Sequence, residues 1–187
     1  ATPIAVVAMS AIYPGESGLT GFWRTITAGR DAISEVPPSH WLIEDYYDAD
    51  PKVPDKTYCK RGGFIDPVNF DPVKFGLPPN ALPSTDTGQI LALIAARELL
   101  DEVQRSGAEV DLDRVDVVLG VASTTELVVQ MGSRMQRPIW RKAMLENGLS
   151  EGETDEICQD IADHYVPWQE STFPGLLGNV IAGRVAN

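Results

Sequence analysis

Nine of the 14 prolines in this 187-residue chain fall between residues 30 and 83. They are Pro37, Pro38, Pro51, Pro54, Pro67, Pro72, Pro78, Pro79 and Pro83. Each fixes its own φ, withholds a backbone donor and pushes the residue before it out of the helical region. The stretch therefore cannot hold a long helix or a central strand. It is too long for an ordinary loop, and its interspersed aromatic residues favour wrapping against a core supplied by the flanking sequence.

The flanks carry regular patterns. Residues 3–9, PIAVVAM, form a continuous apolar run of the kind found in strands covered on both faces, and residues 114–122, RVDVVLGVA, form a second. Between them, Leu19, Phe22, Trp23 and Ile26 share one helical face, with Gly29 placed as a stop. From Ser84 onward, N-cap candidates precede Ile90, Leu91, Leu93, Ile94, Leu99, Leu100 and Val103. These encircle most of a helix and predict its burial. Thr124 and Thr125 open another helix after the second strand. Ser150 and Glu153 have capping-box spacing ahead of a helix with a narrow Ile157–Ile161 stripe and an otherwise acidic, solvent-facing surface. In the closing stretch FPGLLGNVIAGRVAN, Leu176, Leu177, Val180, Ile181 and Val185 stand at helical spacing, while glycines and alanines keep the rest thin. Strand, loop and helix thus alternate, which predicts a layered α/β fold.

With 43% apolar residues and no apolar run near the roughly 20 residues a bilayer demands, the chain reads as a soluble domain without a membrane span. No basic leader segment is evident, and a cytoplasmic location is expected. A formal charge of −12 excludes broad nucleic-acid binding, which needs clustered cations to neutralise phosphates. Cys59 and Cys158 are too few and too far apart for a metal knuckle or disulfide framework.

Candidate chemistry is sparse. PGESG at 14–18 lacks the ending of a phosphate-cradling loop and the spacing of a nucleophile elbow, and reads as a turn. His40 and His164 lack metal-ligand spacing, and a structural or surface role suffices for both. Basic neighbours of Cys59 could lower its pKa, but no partner base is evident. Asp86 reads as first-turn charge complementing the helix dipole. The run SRMQRPIWRK, with Arg134, Arg137, Arg141 and Lys142, is either a solvated face or a dock for an acidic partner.

Several stretches together resemble the β-ketoacyl synthases of polyketide and fatty-acid assembly lines. In order these are PIAVVAMSAIYPG, GFWRTITAGRDAISEVPPSHW, DYYDADP and KTYCKRGGFIDPVNFDPVKFGLPP. YCKRGGF, FGLPPN and PWQESTFPGLLGNVIAGRVAN are closer still to ketosynthases of bacterial polyunsaturated fatty acid synthases. LPSTDTGQILAL departs from the Met-Asp-Pro-Gln-Gln-Arg motif common in polyketide members.

The resemblance implies a thiolase-like layered α/β fold, with residues 1–187 forming the N-terminal, incomplete portion of a ketosynthase domain and 30–83 a wrapping excursion within it. It implies acyl transfer from an acyl-carrier-protein thioester to a cysteine, then decarboxylative Claisen condensation with a malonyl thioester. The acyl groups would ride on the carrier's phosphopantetheine arm, and no cofactor or metal of the domain's own is expected. The nucleophilic cysteine, and the histidines that assist decarboxylation and stabilise the oxyanion, are expected beyond Asn187. The 187 residues alone would then be inactive.

Ser123 and Thr124 resemble pocket-lining residues, and Thr172 and Phe173 resemble residues that reach across a homodimer interface. These four are the expected substrate-binding residues, with ordinary core packing as the alternative. Expected partners are an acyl carrier protein, a second copy and the remaining C-terminal part of the ketosynthase, with neither nucleic acid nor membrane. A non-catalytic, chain-length-factor-like dimer partner of the same fold remains a competing reading. So, more distantly, does a free-standing acidic α/β binding protein.

Overall fold

The computed structural model describes residues 3–122 and 125–187. The chain divides into two compact units: residues 3–69 with Arg97–Ala108, and Phe70–Ala96 with Glu109–Asn187.

The first unit contains α1 (Gly18–Thr27), β1 (Ile33–Glu35), the single turn α2 (Ile43–Tyr46) and β2 (Arg61–Gly63). Gly29, at φ +61°, ends α1 as predicted. Its N–H donates to Ile26 O while Arg30 N–H donates to Thr25 O, the reciprocal pair of a Schellman motif. Glu16 holds the start of this region through Arg24 at 2.6 Å and Arg30 at 2.7 Å. Tyr13 stacks on Phe22, with centroids 4.0 Å apart. Strands β1 and β2 pair antiparallel, Ser34 opposite Gly62, and Val36 extends the pairing by donating to Lys60 O at 2.8 Å. Lys60 also bonds Glu35 at 2.7 Å, which holds the Glu35 carboxyl below its ordinary value.

The second unit contains α4 (Thr125–Arg134), α5 (Arg137–Glu146), α6 (Glu151–Asp163), the short α7 (Thr172–Gly175) and α8 (Gly178–Ala186). The helix α3 (Thr87–Arg105) begins in this unit and ends in the first. The core of the second unit is built from Leu77, Ala81, Leu93, Leu127, Met131, Cys158, Ala162 and Ile181. In the first unit, Val36 is the only buried apolar side chain larger than glycine among the described residues.

The proline-rich region behaves as its composition dictates. It holds two three-residue strands, one helical turn and the 3-10 turns Pro72–Phe75 and Pro79–Ser84, with no long element.

Three predicted features differ. Neither 3–9 nor 114–122 forms a strand. Among the described residues neither run has a pairing neighbour, and Ile4 (96% exposed) and Val118 (88%) face outward. An apolar run records a preference for burial, but a parallel strand exists only where another backbone supplies its hydrogen bonds. Helix α3 is half-buried instead of enclosed, with only Gln89 and Leu93 fully covered. On α6 the buried stripe is Thr154, Cys158 and Ala162, while Ile157 stays 37% exposed. That face lies toward the second unit's core because small residues admit closer helix packing than isoleucines would.

Candidate functional site

The four residues singled out for substrate contact fall on two segments. Ser123 and Thr124 lie outside the described residues. Val121, just ahead of them, borders the start of α8: a Cβ added to Gly178 would lie 3.8 Å from Val121 Cγ1. Thr172 and Phe173 open α7, and the structure turns them opposite ways. Thr172 is 0% exposed, and its Oγ1 accepts the Gln169 N–H at 3.0 Å, so it serves the backbone of its own turn. Phe173 is 57% exposed.

What fixes this turn is a buried polar cluster between 84–89 and 169–177. The prolines at 79 and 83 favour the 3-10 turn Pro79–Ser84, whose end delivers Ser84, Thr85 and Asp86 into the interior. Ser84 gives its proton to Ala81 O at 3.0 Å, which leaves Ser171 to donate across their 2.7 Å contact. Ser84 Oγ also accepts from Gln169 Nε2 at 2.8 Å. Thr85 Oγ1 donates to Ala81 O at 2.9 Å.

Asp86 N–H donates to Gly175 O at 3.0 Å, and its carboxylate accepts the Gly88 N–H at 2.9 Å at the head of α3. The reading of Asp86 as a helix-start charge is thus sharpened into a capping hydrogen bond. Gln89, 0% exposed, donates through Nε2 to the carbonyls of Gly175 at 2.8 Å, Pro174 at 2.9 Å and Leu177 at 3.3 Å. All three partners are acceptors, so the amide can stand only with its nitrogen toward them. Gly175 is required: a Cβ there would sit 1.7 Å from Ser84 O.

Sequence reasoning missed Ser84, Gln89, Gln169, Ser171 and Gly175 as a group. The available signal was LPSTDTGQ itself, a dense polar run opening an otherwise apolar helix and departing from the commoner motif.

Each remaining candidate has local partners of its own. Cys59 is exposed, with Sγ donating to Arg61 O at 3.3 Å, and Cys158 is fully buried. His40 packs edge-on against Phe64, with centroids 4.9 Å apart, and His164 caps the end of α6. Among the described residues no group of three or more His, Cys, Asp or Glu could hold a metal.

The basic run turns inward on this chain's own acidic helix. Arg134 donates to Ala162 O at 2.6 Å at the C-terminus of α6, Arg137 to Gln159 at 3.0 Å, and Arg141 pairs with both Glu151 and Asp155. Hydrogen bonding to Asp155, then the charge of Glu151, raises the Arg141 pKa further. Of the run, only Arg141 meets carboxylates of α6, while Arg134 and Arg137 bond a carbonyl and an amide of that helix and Lys142 pairs with Glu146 of α5 at 3.8 Å.

In the first unit a cleft of about 640 Å³ is bounded by residues 6–11 and 17–20 together with Glu98, Glu102 and Arg105. Ser10 donates to Glu98 inside it.

A family model described as the N-terminal domain of beta-ketoacyl synthase matches residues 1–187. A polyunsaturated fatty acid synthase subunit of Thraustochytrium sp. is 32% identical over 186 residues, covering 100% of this chain and 7% of that protein. The spectinabilin polyketide synthase system protein NorC of Streptomyces orinoci is 39% identical over 134 residues, covering 70% of this chain and 6% of that protein. Among solved structures, the oxazolomycin ketosynthase domain OzmH KS7 of Streptomyces albus is similar, with a TM-score of 0.50 at 33% identity over 52% of this chain and 17% of that one. The chain therefore spans only a small part of the length of the curated relatives it matches.

Proposed function

The chain belongs to the β-ketoacyl synthase family, with its thiolase-like α/β fold class, and from that premise we propose that it forms part of a ketosynthase for polyunsaturated fatty acid or polyketide synthesis. The observation that carries this reading is the family match from the first residue to the last.

In the proposed reaction a cysteine thiolate attacks the carbonyl of an acyl thioester and the phosphopantetheine thiol of an acyl carrier protein leaves. A malonyl thioester then loses carbon dioxide. The resulting enolate carbon attacks the enzyme-bound acyl carbonyl and the cysteine thiolate departs. Burial of Cys158, and a Cys59 thiol that is exposed and donates to the Arg61 carbonyl, support placing that cysteine outside these 187 residues. On this reading the present residues supply scaffold, part of the acyl pocket near Ser123 and Thr124, and a surface for a second copy around Phe173. The exposure of Phe173 (57%) and of neighbouring Trp168 (58%) supports the last of these.

The test is made on the full-length protein containing these residues. Incubation with a radiolabelled acyl thioester and malonyl-carrier protein is expected to give a covalently acylated protein and malonate-dependent release of carbon dioxide. A dimer that takes up no acyl group would instead favour the non-catalytic, chain-length-shaping role.

A further inference from the structure

We propose that Gln89 and Gln169 are positioning residues that set acyl-chain selectivity by fixing the turn that carries Phe173; this rests on the ketosynthase reading above. Gln89 holds the turn from beneath, with one amide nitrogen serving the carbonyls of Gly175, Pro174 and Leu177 at 2.8, 2.9 and 3.3 Å. Two amide protons facing three acceptors must share, so the carbonyls converge on a single point. Gln169 holds it from the side, through Ser84 Oγ at 2.8 Å and Asn80 O at 3.3 Å.

Space-filling alone does not account for an amide at 89. Its Oε1 is buried without a hydrogen-bond partner, which penalises glutamine against an apolar residue of the same shape. The nitrogen side must outweigh that penalty, and what it fixes is the path from 174 to 177. Phe173 immediately precedes that path, and Gly178, beside Val121 and so close in the chain to Ser123, immediately follows it. A shift of this turn moves Phe173, one of the expected substrate-binding residues.

The experiment uses the full-length protein with Q89M, which keeps shape and loses the donors, and Q169L. For each, the rate of self-acylation by a short-chain and by a long-chain pantetheine thioester is measured alongside the melting temperature. Their ratio cancels the fraction of protein that is folded, so it responds to pocket geometry and not to stability. Positioning predicts that the ratio changes by about fivefold or more, within the discrimination a hydrophobic pocket shows for a single methylene. An unchanged ratio in folded Q89M reduces Gln89 to core packing and overturns the proposal. Should Q89M fail to fold, Q169L decides in the same way, since Gln169 is only half-buried. Wild-type protein that accepts neither thioester overturns the ketosynthase reading, and the proposal with it.

Discussion

Gly175 has no room for a side chain. The carbonyl oxygen of Ser84 occupies the place a Cβ would take, and that oxygen cannot retreat, because its residue is held by Ala81, Ser171 and Gln169. G175A is therefore expected to cost about 3 kcal/mol or more, read as a lowered denaturation midpoint. A midpoint within experimental error of the parent would show that α7 is not clamped against Ser84. Glycine at 175 was legible in the sequence only as part of a thin helical face. The contact that makes it obligatory joins Ser84 to Gly175, and the hydrogen bonds that hold it join residues 85 to 89 positions apart; no local period reports such pairing. Thr172 and Phe173 were singled out through resemblance, and their opposite orientations were not legible, because a single helical turn is too short to show a periodic pattern.

Among the elements, α6 was read most fully from its sequence. Ser150 and Glu153 form the predicted capping box: Ser150 N–H donates to Glu153 at 3.0 Å, and Glu153 N–H donates to Ser150 Oγ at 3.3 Å. The Ser150 hydroxyl, and then its backbone N–H, hold the Glu153 carboxyl below its ordinary value. A carboxyl depressed in the folded state adds stability that is whole above its unfolded pKa and is lost as pH falls through the lowered folded one. S150A should therefore lower stability by about 1 kcal/mol at neutral pH. The gap between variant and parent should narrow as pH falls below the ordinary carboxylate range, as urea melts followed by circular dichroism would reveal. A gap that stays constant with pH would assign the cap to the hydroxyl alone. The basic run was legible as charge but not as to its partner, because its pairs with α6 span a loop whose direction depends on Gly148 at φ +89°. The runs at 3–9 and 114–122 were legible as apolar, but they form no strand, because a ladder needs a second backbone that local sequence does not specify.

For the whole molecule, the uneven distribution of burial has direct consequences. Ile4, Val6, Val7 and Met9 are 64–96% exposed, and Val118 is 88% exposed. Exposed apolar runs of this kind seek cover. The 187-residue polypeptide made alone is expected to bind a hydrophobic dye such as ANS and to associate with rising concentration in sedimentation velocity. A dye-silent monomer that melts cooperatively would contradict this and favour a free-standing binding protein. The pairing of α5 with α6 has a further consequence in time. Both helices, the Gly148 turn between them and their bridging charges lie within residues 137–163, so this hairpin closes over short chain separations and with little loss of loop entropy. Newborn polypeptide leaving the ribosome can thus consolidate this segment within moments of its synthesis, while the exposed apolar run at 3–9, made well before it, is the natural place for a chaperone to hold.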